Sequence, residues 1–181
     1  ELAAAVLLGL QNLAVEVNVF HYNAALNACA KAGDASRALE LLGAMAHRGM
    51  EADVITHNAA IDACGKAGEW VLAVDLLGRM SRGSHRADTI SYSSAMGACE
   101  GAGEWRHGLA LFDEMRSRRV AASSLTYTAA IGAWGQAGGW EKALAFIDDM
   151  ADGRIEINVI TYNAAISACD REWLVAFRLL Q

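Results

Sequence analysis

The side chains best suited to bind a metal ion or attack a substrate are four cysteines and five histidines. A structural zinc site needs clustered ligands such as Cys-x-x-Cys, a spacing that this sequence never contains. Cys29, Cys64 and Cys99 are instead 35 residues apart, and the histidines show no metal-ligand spacing. No glycine-rich phosphate loop, His-Glu-x-x-His motif or nucleophile elbow occurs. The sequence therefore predicts no metal, no cofactor and no enzymatic activity, and the cysteines are expected to pack as small apolar groups.

The spacing of the cysteines extends to the whole sequence. At an offset of 35 residues four complete units superpose without gaps, and they span 19–53, 54–88, 89–123 and 124–158. Residues 1–18 fit the second half of a truncated unit. Residues 159–181 begin a further unit that lacks two residues between Cys169 and Trp173. The glycine and methionine positions that recur are Gly33, Gly68, Gly103 and Gly138, and Met45, Met80, Met115 and Met150.

Each unit is predicted to form two helices. The chain is rich in alanine and contains no proline, which favours helix throughout. In the second unit we expect Thr56 to cap the first helix, Gly68 to end it, and a second helix to run from about Glu69 to Met80. One hairpin cannot bury its apolar stripe alone, so the predicted fold is all-α, a right-handed α-solenoid of stacked helix-turn-helix repeats. No apolar run approaches the roughly 18 residues that cross a membrane.

The repeated pattern resembles the pentatricopeptide repeat family, with 35-residue repeats of the P type. The resemblance rests on Val/Ile-Thr-Tyr-Asn at the start of a unit, Lys-Ala-Gly after the first helix, Ala-x-x-Leu-x-x-Met in the second helix and a closing Asp. It covers essentially the whole chain. Tetratricopeptide repeats are the nearest alternative, but they have 34 residues and a proline at the end of the second helix. The chain departs from the usual pentatricopeptide pattern in one respect, since it also lacks the proline before the closing residue.

The resemblance implies that each repeat reads one RNA base with its fifth residue and its last residue, here called the reading pair. Amide, hydroxyl and carboxylate groups at these positions could bond one Watson–Crick edge. The implied reading pairs are Asn23 with Asp53, Asn58 with Asp88, Ser93 with Ser123, and Thr128 with Asn158, with Asn163 and Asn18 as single members at the two ends. The second residue of each repeat is expected to sandwich the bases; these residues are Phe20, Ile55, Ile90, Leu125 and Ile160. Lys31 and Lys66 would lie near phosphates.

The family's pairing rules imply uracil for the two Asn/Asp repeats, adenine for the Thr/Asn repeat and a pyrimidine opposite Asn163. The Ser/Ser repeat stays open, with adenine preferred. The resemblance thus implies sequence-selective binding of single-stranded RNA in mitochondria or plastids, for RNA processing, stability or translation. The net charge of −6 argues against tight binding by a few repeats, because nucleic-acid binders are usually basic. That acidity instead favours the alternative, a helical scaffold for protein–protein interaction.

Overall fold

The computed structural model describes residues 17–82 and 85–169 of the chain. These residues form helices and connecting turns, and no strand occurs among them. The fold is an all-α helical repeat, as predicted. The helices are α1 (Val19–Ala32), α2 (Ala35–His47), α3 (Val54–Lys66), α4 (Trp70–Arg82), α5 (Thr89–Gly101), α6 (Trp105–Ser117), α7 (Ser124–Gln136), α8 (Trp140–Asp152) and α9 (Val159–Ala168).

The chain divides into two compact units, the first ending at Ala98 and the second beginning at Cys99. In the first unit α1 packs against α2 and α3, and α3 packs against both α2 and α4. In the second unit α7 packs against α6, α8 and α9, and α8 also contacts α9. First helices thus stack on first helices in both units. The predicted half-unit at 1–18 lies outside the described residues apart from its last two, as does the end of the shortened unit after Cys169.

The turn between the two helices of each hairpin depends on a glycine in the left-handed region. Gly33, Gly68, Gly103 and Gly138 have φ between 65° and 79°, a conformation that other residues adopt only at a cost. At Gly33 the constraint is this conformation alone, because a Cβ there would lie at an ordinary contact distance of 3.5 Å from Lys66. The prediction that Gly68 ends the first helix of its repeat is confirmed.

The prediction that Thr56 caps α3 is wrong. The N-cap is Asp53, whose side chain accepts a hydrogen bond from the Thr56 N–H, while the Thr56 hydroxyl accepts from the Asp53 N–H. This is a reciprocal capping box in which Thr56 is the third helical residue. Asn18 and Ser123 form the same arrangement at the starts of α1 and α7. The last residue of one repeat therefore begins the first helix of the next.

The core of each hairpin lies beneath its second helix. Met45, Met80, Met115 and Met150 are each no more than 1% exposed. The alanines on the same helical face as these methionines are fully buried: Ala38, Ala73 and Ala143. Small residues at this position let the two helices of a hairpin approach closely. All four cysteines are buried thiols, as expected for packing groups. Within the described residues no helix is long and apolar enough to cross a membrane.

Candidate nucleic-acid interface

The first reading pair, Asn23 and Asp53, is held together by hydrogen bonds. The Asn23 amide nitrogen lies 3.3 Å from both carboxylate oxygens of Asp53 and donates to them. The Thr56 hydroxyl completes a triangle, because its oxygen lies 2.6 Å from Asn23 Oδ1 and 2.7 Å from Asp53 Oδ1. Residues from three places in the chain meet because α3 stacks directly on α1. The structure thus brings together the two side chains that the sequence analysis paired.

The second reading pair repeats this geometry one repeat later. Asn58 Nδ2 donates to Asp88 Oδ1 over 3.1 Å. The Ser91 hydroxyl lies 2.6 Å from Asn58 Oδ1 and 2.9 Å from Asp88 Oδ1. Ser91 occupies the position of Thr56 in its own repeat and shares only the hydroxyl with it. The triangle therefore depends on the hydroxyl rather than on the threonine methyl group.

Both closing carboxylates are ionised at neutral pH. Burial raises the pKa of Asp53, but hydrogen bonds from the Thr56 hydroxyl and N–H, the Asn23 amide and the Ile55 N–H outweigh burial and leave the pKa below its usual value. Asp88 behaves in the same way: burial raises its pKa, and hydrogen bonds from Ser91, Asn58 and Ile90 lower it further than burial raises it. An ionised carboxylate is an acceptor only, so each pair presents a fixed pattern of donors and acceptors.

Each residue implied for the third reading pair is hydrogen-bonded to the main chain of its own helix start. Ser93 is 7% exposed, and its hydroxyl donates to the Ile90 carbonyl of its own helix over 3.0 Å. Ser123 is the N-cap of α7, where its hydroxyl accepts from the Thr126 N–H over 3.4 Å. In the structure both hydroxyls serve main-chain groups. Reading by this pair would require their side chains to turn, and their role stays a prediction.

The fourth reading pair lies on neighbouring first helices of the second compact unit, α7 and α9. The Thr128 hydroxyl donates to the Ser124 carbonyl over 2.8 Å and lies 3.0 Å from the Thr161 hydroxyl. Asn158 caps α9 and its amide nitrogen donates to the Ser124 hydroxyl over 3.4 Å. Both side chains thus contact Ser124. Asn158 is exposed, which leaves much of its amide open to a ligand.

The two single members lie at the ends of the described array. Asn163 is exposed on α9. Asn18 is exposed and caps α1, where its side chain accepts from the His21 N–H over 3.3 Å. Capping is thus shared by every closing residue of the described repeats, including Asp88, which accepts from the Ser91 N–H. The sequence analysis missed this second role, although an Asp, Asn or Ser followed by Thr or Ser three positions later is a recognisable helix-start signal.

A row of large apolar side chains is exposed beside these polar groups. The second residues of the five repeats are Phe20, 77% exposed, Ile55, 58%, Ile90, 59%, Leu125, 63%, and Ile160, 67%. Each lies three residues before the fifth residue on the same helix, so the two side chains share one face. A single exposed isoleucine is ordinary, whereas here a large apolar side chain is exposed at the same position of each of the five repeats.

The first helices carry charged residues of both signs. Lys31 and Lys66 are exposed near the ends of their helices, and Lys66 forms an ion pair with Asp62 over 2.7 Å. In the second unit Glu100 stands where Gly65 and Gly135 stand in other repeats. Its carboxylate approaches Gly132 so closely that a Cβ there would lie 2.6 Å from it. Burial raises the pKa of Glu100. The sequence analysis missed this residue, although an acid at an otherwise small position was a visible signal.

The described residues contain no group of three or more histidine, cysteine, aspartate or glutamate side chains that could hold a metal ion. The polar groups of the reading pairs lie in separate repeats. The first two pairs share one set of contacts, and the fourth pair has contacts of its own. Polar groups and exposed apolar side chains of this kind can provide hydrogen bonds and stacking.

Family models match most of the chain. The model described as the PPR repeat family matches residues 17–66 and 122–171. The model described as the PPR repeat matches residues 55–84 and 90–120. Comparison with curated protein sequences gives no significant match.

Solved structures share the fold. The pentatricopeptide repeat protein PPR10 in complex with an 18-nucleotide psaJ RNA element superposes with a TM-score of 0.81 at 20% identity, over 97% of this chain and 26% of that chain. PPR10 from maize gives a TM-score of 0.71 at 27% identity, over 98% and 26%. The PPR domain of Arabidopsis thaliana protein-only RNase P 1 in complex with tRNA gives 0.72 at 15% identity, over 86% and 83%. The chain thus spans about a quarter of the length of PPR10.

Proposed function

Because the chain belongs to the pentatricopeptide repeat family, we propose that it binds single-stranded RNA and reads one base with each repeat. One observation carries this proposal: two successive repeats hold an Asn/Asp pair in the same hydrogen-bonded geometry beside an exposed apolar side chain. Sequence-specific recognition of single-stranded RNA likewise combines contacts to the faces of splayed bases with hydrogen bonds to their edges. Related solved structures contain RNA in their own complexes.

The geometry supports binding between neighbouring repeats. Ile55 lies on the same helical face as Asn58, so a base inserted beside Ile55 brings its edge toward the Asn58 amide. The apolar contact between Ile55 and the face of the base does not depend on which base is bound, since every base has a π-face. The polar pair beside it supplies the selectivity. Affinity and specificity therefore come from different residues of the same repeat.

The family's pairing rules assign bases to these pairs. Uracil is proposed for the first two repeats, with pairs Asn23/Asp53 and Asn58/Asp88, and adenine for the fourth, with Thr128/Asn158. The protein would bind a tract of the form 5′-UUAAU-3′, running from its N-terminal to its C-terminal repeats. Its place of action by family resemblance is a mitochondrion or plastid, where it would act in processing, stability or translation of a transcript.

The acidic net charge limits affinity without opposing this function. Asp113, Asp148 and Asp149 are exposed on the second helices α6 and α8, whereas the reading pairs lie on the first helices and their caps. Each phosphate contact by Lys or Arg makes binding salt-dependent. With few lysines beside the reading pairs we expect weak binding and a shallow salt dependence.

The decisive experiment exchanges one reading pair for another found in the same chain. Replacing Asn58 by Thr and Asp88 by Asn gives the second repeat the pair of the fourth, Thr128/Asn158. Fluorescence anisotropy would compare labelled 5′-UUAAU-3′ with 5′-UAAAU-3′ at low salt for the parent and the double variant. We expect the parent to prefer the first oligonucleotide and the variant the second, each by about five-fold or more, which corresponds to about 1 kcal/mol.

The double variant contains its own control, because the first reading pair is unchanged. Preference for uracil at the first base, measured with 5′-AUAAU-3′, should stay as in the parent. A parent protein that binds no single-stranded oligonucleotide even at low salt would refute RNA reading by these repeats. Binding of a protein partner with a basic surface, with no RNA binding, would then favour the helical scaffold.

A further inference from the structure

We infer that Thr56 and Ser91 are positioning residues that determine which atom of the neighbouring asparagine faces the RNA base. The inference rests on the proposed reading of RNA and adds a third residue to each of the first two reading pairs. That residue is the third position of the following repeat, so it lies outside the repeat whose base it influences. Thr56 acts on Asn23, 33 residues earlier, and Ser91 acts on Asn58 at the same separation.

Both hydroxyls are buried and cannot exchange their contacts for water. Thr56 and Ser91 are each 0% exposed. A buried hydroxyl needs a protein partner, since leaving it unsatisfied costs the desolvation of the group. The oxygen of Asn23 lies 2.6 Å from the Thr56 hydroxyl and that of Asn58 lies 2.6 Å from the Ser91 hydroxyl. The same hydroxyls lie slightly farther from a carboxylate oxygen, 2.7 Å from Asp53 Oδ1 and 2.9 Å from Asp88 Oδ1. An amide oxygen carries no proton, so the shorter contact is a hydrogen bond in which the hydroxyl donates to the asparagine.

The second contact of each asparagine supports the same orientation. Asn23 Nδ2 donates to the Asp53 carboxylate and Asn58 Nδ2 donates to the Asp88 carboxylate. If either amide were turned by half a rotation, its oxygen would face an ionised carboxylate and its NH2 group would face the hydroxyl. The first of these contacts is repulsive, because both oxygens are acceptors. Carboxylate and hydroxyl therefore hold each amide from two sides.

The orientation has a consequence for the base. One N–H of the amide is used by the carboxylate, and the other is left to donate outward. A donor at this point favours a base that presents a carbonyl oxygen, as uracil does, over adenine, whose exocyclic group is an amine that donates. Without the hydroxyl, the amide would lose its second support and could offer its oxygen as well. We therefore expect discrimination between uracil and adenine to fall when the hydroxyl is removed.

Two variants test the inference at two different bases. Thr56→Val keeps the shape of the side chain and removes the hydroxyl, and it should lower discrimination only at the first base of 5′-UUAAU-3′. Ser91→Ala should lower discrimination only at the second base. In each case we expect the ratio of the Kd values for adenine and uracil to fall by about five-fold, the weight of one hydrogen bond. Each variant is the control for the other.

A third variant separates positioning from helix capping. Thr126 is also 0% exposed and also accepts from the N–H of its N-cap residue, but its hydroxyl donates to the Ser123 carbonyl rather than to a reading side chain. Thr126→Val should lower the thermal stability much as Thr56→Val does and leave the preference at the first two bases unchanged. Thr56→Ser and Ser91→Thr, which keep the hydroxyl, should restore full discrimination.

The outcomes are distinct. If the parent discriminates and Thr56→Val and Ser91→Ala, shown to be folded by circular dichroism, keep its discrimination within two-fold, the positioning role is wrong and RNA reading stands. If the parent itself does not bind RNA, the proposed function fails and the inference fails with it. Equal loss of discrimination in Thr126→Val at the first two bases would show a general effect of capping and would also overturn the positioning role.

Discussion

The exposed isoleucine beside the second reading pair offers a measurable test of base stacking. Ile55 is 58% exposed in the free protein, so somewhat more than half of its apolar surface is available to a base. Burying a whole isoleucine side chain is worth about 1.5–3 kcal/mol, and the exposed share of that is about 1–1.5 kcal/mol after allowing for the methyl group that alanine keeps. Ile55→Ala should therefore raise the Kd for 5′-UUAAU-3′ by about 5- to 12-fold.

The assay is anisotropy of the labelled oligonucleotide at one low salt concentration, with thermal melts of each protein to check folding. Val71 provides a matched control, because it is 57% exposed but lies on the second helix α4. Val71→Ala should leave the Kd unchanged. If Ile55→Ala binds within two-fold of the parent, or if Val71→Ala weakens binding equally, the row of apolar second residues does not stack on bases.

Three further predictions concern the scaffold. Burial raises the pKa of Glu100 above its ordinary 4.5. The ionised carboxylate therefore destabilises the folded state as pH rises through the raised pKa. Glu100→Gln should raise Tm at pH 7 and leave it nearly unchanged at pH 4. Gly43 has open space for a Cβ within α2, so Gly43→Ala should stabilise by about 0.5–1 kcal/mol, whereas Gly135→Ala should destabilise because its Cβ would lie 2.9 Å from the backbone of Ala168; denaturant melts would show opposite shifts. Burial, reinforced by Glu104, raises the pKa of the Cys99 thiol to about 11, so a thiol reagent at pH 8 should label it only after denaturant is added, and labelling of the native protein would contradict its burial.

Features that depend on the repeat period could be predicted from the sequence. The left-handed conformation of Gly68 followed from its place after a helical stretch, and the burial of Met80 followed from the apolar spacing of the second helix. Both depend on forces within one hairpin or between identical neighbours. A residue pattern that recurs in five repeats therefore predicts the features that these forces produce.

Features that depend on side-chain direction could not be predicted. Thr56 looked like an N-cap because its residue type fits, but Asp53 takes that position. Ser93 fits the reading position by register, yet its hydroxyl turns to the carbonyl of Ile90. Spacing determines which face a residue occupies, whereas the choice of hydrogen-bond partner depends on distances of a few tenths of an ångström between stacked repeats. The contact of Thr56 with Asn23 is of this second kind.

Helix capping limits which residues can stand at the closing position of these repeats. Asp53, Ser123 and Asn158 each begin the next first helix, and an N-cap changed to alanine costs about 0.5–2 kcal/mol. The side chains that cap well are few, chiefly Asp, Asn, Ser and Thr. Under the proposed function, a change of base preference that stays among these residues keeps the helix cap, whereas a closing residue outside them, glycine excepted, costs stability. A redesigned array is restricted to the same few closing residues, because the restriction comes from helix capping and not from RNA binding.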